Sequence, residues 1–328
     1  MKWIMKWEII LFLFLLIEIL IFSQLSPGFI NLNNLLYSMN DYAYIAIAAI
    51  PMTFVIVTGG IDVSVGSVMG LSSILLGVLW INGTDIYVAI TITVVAAAFA
   101  GLLNGLLAAL TDVQPLIITL GTMFLFSGIA LIISGGASAS GYEGISGFPD
   151  SFVEIANGNW LGIPNPVWFL GICMLFFGGL LHWTRYGRSV FLVGINIKAA
   201  KYSGLRTKWI IMSTYILSGI GGSMSGIILT SYFSSARSDL GSEAILPVIT
   251  AVVLGGTSIL GGKGSVLGTA IASIVIGMMQ YGLQMIGMSS QQTSVVIGSL
   301  LILAVLLRNT NWYKFTQMFR NRKSLANK

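Results

Sequence analysis

Long apolar stretches with few charged residues recur along the whole chain, separated by shorter polar segments. Stretches of about 20 apolar residues match a hydrocarbon core of ~30 Å at 1.5 Å per helical residue. A membrane β-barrel would show short alternating segments instead. The pattern therefore predicts an all-α polytopic membrane protein with about ten transmembrane helices. The predicted spans are 7–25, 42–58, 63–81, 87–110, 113–134, 165–183, 209–232, 244–260, 265–288 and 292–308.

Several of these spans are short or interrupted by glycine, which points to broken or re-entrant helices. Small residues also recur at a spacing of four, as in Gly101/Gly105 and Gly222/Gly226. Such pairs let the backbones of two membrane helices approach closely. We therefore expect a tightly packed bundle. The glycine spacing does not indicate which substrate the protein binds.

The composition agrees with a membrane protein. Of the 328 residues, 56% are hydrophobic and 8% are charged, whereas soluble domains carry roughly 25% charged residues. The first apolar stretch follows Lys2 and Lys6 and looks like a signal peptide, but no A-x-A-like cleavage site follows it. We therefore expect an uncleaved first span.

The positive charge is concentrated in connections and at the two ends of the chain. If the N-terminus lies in the cytoplasm and ten spans alternate, fifteen of the sixteen Lys and Arg residues fall on the cytoplasmic side, and only Arg237 falls outside. This distribution follows the positive-inside rule and predicts that both termini are cytoplasmic. The net charge of +5 is then explained by the orientation of the chain in the membrane. We expect its basic residues to contact membrane lipid, and we expect no nucleic-acid binding.

The chain is predicted to form a single transmembrane domain over residues 1–328. Its long connections are an outer loop at 135–164 and a cytoplasmic loop at 184–208, and it ends in a basic cytoplasmic tail at 309–328. Neither loop is long enough for a soluble domain. We therefore expect no ATPase, kinase or binding domain on this chain.

The stretch GGTSILGGKGS (255–265) superficially looks like a nucleotide-binding loop. The pattern G-x-x-x-x-G-K-[ST] needs glycine at 257 and Ser or Thr at 264, where the chain has Thr257 and Gly264, and no strand precedes it. The chain also lacks an H-E-x-x-H motif, a Cys/His cluster and closely spaced carboxylates within a span. We expect no catalytic residue, no metal site and no cofactor on this chain.

Polar side chains inside apolar spans are the candidates for a solute pathway. They are Asn104, Thr119, Thr122, Ser127, Gln280 and Gln284. An amide or hydroxyl in hydrocarbon needs a hydrogen-bond partner, so each faces a neighbouring helix or a water-filled path. A path lined by such groups suits a neutral polar solute. The alternative is that they only join helix to helix.

The segment TGGIDVSVGS (58–67) places two glycines and a carboxylate between predicted spans two and three. Asp62 can accept a hydrogen bond from the amide of Ser64 or Val65 and so cap the next helix. Gly59 and Gly60 allow a very short connection to reverse or break the chain. We interpret the segment as a capped hinge near the cytoplasmic side, with direct contact to solute as the alternative.

Four blocks spread over most of the chain resemble the permease subunits of ABC importers for ribose-like sugars. They read VIVTGGIDVSVGSVMGLSS (55–73), LLNGLLAA with VQPLIITLGTM (102–123), GINIKAAKYSG (194–204) and AILPVITAVVLGGTSILGGKGSVLGTAIAS (244–273). Two further stretches, SGYEGISGFPDSF (140–152) and SYFSSARSDLGSEAILP (231–247), resemble the D-type permeases of autoinducer-2 importers.

The resemblance implies a permease that moves autoinducer-2 across the bacterial inner membrane and performs no chemistry itself. It implies a sister permease, two ATPase subunits that hold ATP and Mg, and a periplasmic binding protein that delivers the solute. A permease for ribose or another pentose is the alternative within the family. An ion-coupled secondary transporter, a channel and a structural membrane subunit are the alternatives from other classes.

The resemblance also assigns roles to two groups of residues. The stretch 194–205 can form a short amphipathic helix, and by resemblance it seats on the ATPase. Its contributing residues are Asn196, Lys198, Ala199, Ala200, Ser203 and Gly204. On the outer side, Arg237 is expected to dock the binding protein through a carboxylate, and Asp239 and Glu243 to set the register of docking.

Overall fold

The computed structural model describes residues 2–26, 28–135 and 144–309, and most of these residues are helical. The helices are α1 (Lys2–Leu25), α2 (Leu32–Val57), α3 (Val65–Ile81), α4 (Ile86–Leu110), α5 (Pro115–Ile133), α6 (Asp150–Asn157), α7 (Asn165–His182), α8 (Arg185–Ile195), α9 (Ile197–Tyr202), α10 (Thr207–Phe233), α11 (Ile245–Leu254), α12 (Val266–Met285) and α13 (Ser290–Asn309). A single antiparallel hairpin joins β1 (Asn159–Trp160) to β2 (Ile163–Pro164) within the described ranges. The prediction of an all-α protein is confirmed.

Helix length separates two groups of apolar helices. Seven described helices are long and apolar enough to cross a membrane: α1, α2, α4, α5, α7, α10 and α12. The apolar parts of α3, α11 and α13 are shorter. Each of the ten predicted spans therefore contains a helix, and the chain is a multi-pass membrane protein.

The predicted span 244–260 is wrong as a single crossing. α11 has only ten residues, or about 15 Å of helix, which is half of a ~30 Å hydrocarbon core. The helix ends at Leu254, and Gly256 follows with a φ of 99°, a conformation that favours glycine. The rest of the predicted span forms turns that lead to α12.

α2 and α10 form the centre of the bundle. α2 is almost completely buried and contacts α7, α10, α11 and α12, while α10 also packs against α3 and α4. A β-carbon at Gly101 of α4 would overlap the backbone of Tyr215 in α10, and one at Gly105 would overlap Met212. The close approach predicted from the glycine spacing is therefore present, because these backbones touch.

The predicted outer loop 135–164 is structured where it is described, and residues 136–143 lie outside the described residues. Ile145 forms an isolated antiparallel bridge with Ala236. α6 is fixed to the end of α10, because the Ser231 hydroxyl donates to the Phe152 carbonyl at 2.7 Å and accepts from the Ala156 amide at 3.0 Å. The predicted basic tail 309–328 lies outside the described residues beyond Asn309.

The predicted cytoplasmic loop 184–208 folds into α8 and α9. The sequence predicts one short helix over 194–205, but the chain breaks at Asn196, which is extended, with a φ of −161° and a ψ of 105°. The Asn196 side chain accepts from the Ala199 amide at 3.0 Å and so caps a new helix. The segment is therefore two helices with a capped break.

Candidate functional site

Asp62 lies at the meeting point of three helices. Its carboxyl group is buried, with 1% of the residue exposed. Oδ1 accepts from the Ser64 amide at 3.0 Å and from the Ser64 hydroxyl at 2.6 Å, and Oδ2 accepts from the Ser218 hydroxyl of α10 at 2.7 Å. The hydrogen bond from the Ser64 amide is one of the two that the sequence suggests. Asp62 is nevertheless not the N-cap of α3, because the helix begins at Val65 and Ser64 occupies the cap position. The bond to α10 has no signal in the sequence.

Two of the six pathway candidates bond to the same segment, and a third, Thr122, bonds within its own helix. Asn104 of α4 donates to the Ser64 hydroxyl at 2.8 Å. The Thr119 hydroxyl of α5 donates to the Ile61 carbonyl at 3.1 Å and accepts from the Val63 amide at 3.3 Å, and Thr122 donates to the Thr119 carbonyl at 3.3 Å. Asn104 and Thr119 therefore tie segment 58–64 to α4 and α5.

The end of α2 is in direct backbone contact with two other segments. The Gly262 amide donates to the Val57 carbonyl at 2.8 Å. A β-carbon at Gly194 of α8 would overlap that same carbonyl oxygen and would lie 2.6 Å from the Gly262 nitrogen. Gly59 follows with a φ of 84° and carries the chain toward Asp62. We call this contact of Val57, Gly194 and Gly262 the glycine junction.

A cavity of about 790 Å³ borders the glycine junction. It is lined by Glu8 of α1, Phe191 of α8 and Lys263, among others. The Ser265 hydroxyl donates to the Glu8 carboxylate at 2.6 Å and caps α12 by accepting from the Gly268 amide at 3.0 Å. The loop that resembles a nucleotide site in the sequence thus packs between α2, α8 and this cavity.

The predicted coupling residues lie together on and around α9. Asn196, Lys198, Ala199, Ser203 and Gly204 are exposed, and Ala200 is buried at 4% exposure. The helix ends in a Schellman motif, because the Gly204 amide bonds to the Lys201 carbonyl at 3.1 Å and the Leu205 amide bonds to the Ala200 carbonyl at 3.2 Å. Gly204 has the positive φ of 82° that this motif needs.

Large apolar side chains are exposed on and beside α9, and they are not among the residues predicted for coupling. Tyr202 is 92% exposed, and Ile195, Ile197 and Trp209 are also exposed. Contiguous exposed apolar groups rimmed by polar ones mark an interaction surface. The signal in the sequence was the alternation of these residues with Lys198, Lys201 and Lys208.

The other pathway candidates lie apart from Asp62. Gln280 and Gln284 of α12 line a cavity of about 120 Å³ together with Asp41 and Glu243. Ser127 is half-buried on α5. The candidates that the sequence groups together therefore occupy at least two places in the molecule.

Arg237 already has a carboxylate partner in its own chain. Its guanidinium forms an ion pair with Asp239, with Nε donating to Oδ1 at 2.9 Å. The Arg237 amide also donates to the Ser73 hydroxyl at 3.0 Å. Glu243 instead lines the cavity with Gln280 and Gln284, so the three residues predicted to act together are divided between two sites. The short turn after α10 brings Arg237 and Asp239 together because they are two residues apart.

These features define a class of protein. A helical bundle with seven membrane-length helices and a buried polar segment at its centre is the architecture of a multi-pass membrane protein, and two of its short helices carry exposed apolar side chains. In the described residues no group of three or more His, Cys, Asp or Glu side chains could hold a metal ion.

The comparisons with known proteins place the chain in a family. A family model described as the branched-chain amino acid transport system permease component matches residues 34–305. The chain belongs to this family of transport-system permeases. The resemblance seen in the sequence is thereby confirmed.

The chain is similar to named relatives over nearly its whole length. The autoinducer 2 import system permease protein LsrD of Salmonella typhimurium strain LT2 is 46% identical over 309 residues, covering 94% of this chain and 93% of the relative. LsrD of Yersinia pestis strain Pestoides F is 46% identical over 325 residues, covering 98% of each chain. No solved structure matches the chain.

Substitution of Asp62 tests the role of its hydrogen bonds. We expect Asp62→Leu to abolish folded protein in the membrane, because it leaves the Ser64 and Ser218 hydroxyls buried without their acceptor, at roughly 1–3 kcal/mol for each unsatisfied group. Asp62→Asn keeps an acceptor oxygen and should retain most of the folded protein. The measurement is the yield of monodisperse protein after detergent extraction. Equal yields for the two variants would contradict this role.

Proposed function

We propose that this chain is a membrane-spanning permease subunit of an ATP-driven importer that carries autoinducer-2 across the bacterial inner membrane. The observation that carries the proposal is the 46% identity to two autoinducer 2 import permeases over 94% and 98% of this chain. Because both alignments also cover more than nine-tenths of the relatives, no large part of those proteins lacks a counterpart here.

The solute assignment depends on the relatives. The description of the family names branched-chain amino acids, whereas the relatives name autoinducer 2. We favour the relatives, because their similarity extends over at least 309 residues and identifies one import system. A pentose is the second candidate, supported by the blocks that resemble ribose-type permeases, and both solutes are small and rich in hydroxyl groups.

The proposal includes the rest of an ABC importer. A sister permease would complete the membrane part, two ATP-binding subunits would hold ATP and Mg, and a periplasmic binding protein would deliver the solute. In this arrangement the chain itself needs no cofactor and binds no nucleic acid. Its two termini lie in the cytoplasm, and its basic tail contacts membrane lipid. The description of the family as a permease component supports the existence of further subunits.

The α9 segment is the proposed docking surface for an ATPase subunit. Its exposed Tyr202 and Ile197 supply apolar area, and Lys198 and Lys201 supply charge for acidic groups of the partner. α8 joins this surface to the bundle, because it packs against α7, α10 and α2. Movement of the ATPase would therefore reach the bundle through α8.

The glycine junction is the proposed route from α8 to the centre of the bundle. Gly194 meets the Val57 carbonyl without an intervening side chain, so a displacement of α8 acts directly on the end of α2. Residues 58–64 follow at once and carry Asp62, whose bonds reach α10 through Ser218. A shift at the junction would thus change how α3, α4 and α10 meet.

The turn after α10 is the proposed contact for the binding protein. The ion pair of Arg237 and Asp239 is exposed and offers one charge of each sign. Docking would exchange this internal pair for pairs across the interface, and one exposed pair is worth roughly 0–1 kcal/mol. The turn therefore orients the partner more than it binds it.

Uptake into proteoliposomes tests the proposed function. The permease would be reconstituted with a sister permease, ATPase subunits and a binding protein from the same organism. We expect ATP-dependent accumulation of autoinducer-2 in preference to ribose. Accumulation that follows an ion gradient without ATP would identify a secondary transporter, and preference for ribose would reassign the solute to a pentose.

Gly204→Val tests the docking role of α9. A β-branched residue disfavours the left-handed conformation of Gly204 by about 1–2 kcal/mol, so the end of α9 should be displaced. We expect loss of the ATP turnover that is stimulated by loaded binding protein, while the permease stays in the membrane.

Gly83→Val is the matched control for this experiment. Gly83 ends α3 in the same motif, with a φ of 83° and, as at Gly204, nothing within 4 Å of an added β-carbon. It should suffer the same local strain but keep stimulated ATP turnover. Normal stimulation in Gly204→Val, or equal loss in both variants, would argue against α9 as the docking segment.

A further inference from the structure

We propose that the cavity between α2, α11, α12 and α13 is a binding site for a small polyhydroxylated solute, an inference that rests on the proposed function. The side chains that would contact the solute are Asp41, Glu243, Gln280, Gln284 and Thr293. Two of these residues were candidates for the solute pathway and one was a candidate for docking, and the fold brings them to one place.

The cavity has an open rim and a buried floor. Asp41, Glu243 and Gln284 are exposed at the rim, Gln280 is half-buried, and Thr293 is 3% exposed. The volume is about 120 Å³, whereas one water molecule needs about 10–15 Å³ on a comparable measure. The cavity therefore has room for several waters or for one small ring with hydroxyl substituents.

The floor of the cavity contains a hydroxyl without a partner. Thr293 Oγ1 is buried and has no hydrogen-bond partner among the described residues. The buried Thr250 of α11, in contrast, satisfies this group within its own helix by donating to the Leu246 carbonyl at 2.7 Å. Because Thr293 lines the cavity, its hydroxyl is available to a molecule that enters.

The lining matches hydroxyl groups in its chemistry. A hydroxyl both donates and accepts, carboxylates only accept, and amides do both. Asp41 is held in place by the Tyr232 hydroxyl of α10, and Glu243 lies just before the start of α11. Together with Gln280 and Gln284, they offer acceptors and donors around a space of suitable size.

A cation fits this lining less well than a polyhydroxylated solute. Calcium and similar ions need six to eight oxygen ligands at 2.3–2.6 Å, whereas this cavity is wide and holds only two carboxylates. The two glutamine amide groups present N–H donors that a cation cannot use. The described residues also contain no group of three metal-binding side chains.

The position of the cavity connects it to the coupling end of the molecule. Asp41 lies in the first half of α2 (Leu32–Val57), and Val57, which forms the glycine junction, is the last residue of that helix. The two residues are separated by about 24 Å of helix. A solute in the cavity would therefore touch the same helix that meets α8 at its other end.

Isosteric removal of the Thr293 hydroxyl tests the inference. In the reconstituted importer, we expect Thr293→Val to lower ATP-dependent uptake of autoinducer-2 by about threefold to tenfold at limiting solute, the effect of one lost hydrogen bond. Gln280→Leu should lower it at least as much. Thr250→Val is the matched control, because that hydroxyl bonds within its own helix, and its uptake should stay close to wild type. Copurification of the partner subunits shows that each variant is folded and assembled.

The outcomes separate the inference from the proposed function. Wild-type uptake combined with normal uptake by both Thr293→Val and Gln280→Leu overturns the inference and leaves the function intact. A wild-type complex that accumulates neither autoinducer-2 nor ribose with ATP overturns the proposed function and the inference with it. Uptake that needs sodium or potassium, and loses that need in Glu243→Gln, identifies a cation site and also overturns the inference.

Discussion

A buried carboxylate in a membrane bundle must take all its hydrogen bonds from protein, because lipid offers none. Asp62 meets this constraint with two bonds from Ser64 and one from Ser218. Asn104 then supports Ser64 from α4. The start of α3 and the middles of α4 and α10 are therefore required to meet at one point, and the close backbone contact of α4 with α10 through Gly101 and Gly105 allows them to do so.

The same short segment connects the centre of the bundle to its surface. Val57 lies at the glycine junction, and Asp62 follows five residues later. One end of this path reaches α8 and the exposed side chains beside α9, and the other reaches α10. A protein that converts movement of a partner into movement of its own helices needs a connection of this kind. Direct backbone contact, without flexible side chains between the segments, transmits a displacement with little loss.

The sequence predicted the helices well because their cause is local. Uncharged apolar length located all ten apolar helices, and the spacing of Gly101 and Gly105 predicted the tight contact that is observed. α11 was predicted too long, because hydropathy does not register the turn that Gly255 and Gly256 introduce. The capped break at Asn196 was missed for a similar reason, since one side chain decides it.

The candidate site was less predictable because its contacts are not local. Ser218 is 156 residues from Asp62. No pattern near either residue in the sequence predicts the hydrogen bond between them. The polar residues chosen by hydropathy are divided mainly between the Asp62 segment and the cavity of Gln280 and Gln284. The polarity of a residue within a span does not show which of these places it occupies in the fold. Gly194 and Gly262 could be read from the sequence, but their contact with each other and with the Val57 carbonyl at the end of α2 could not.

The most direct test of the account is the coupling ratio of a Gly194→Ala importer, measured as solute moved per ATP hydrolysed in proteoliposomes. A single β-carbon there would overlap the Val57 carbonyl, while Gly171→Ala in α7 meets nothing within 4 Å and serves as its control. The account predicts that Gly194→Ala still assembles and hydrolyses ATP but moves far less solute per ATP than Gly171→Ala. An unchanged ratio in Gly194→Ala would contradict the claim that the glycine junction transmits movement between the ATPase and the bundle.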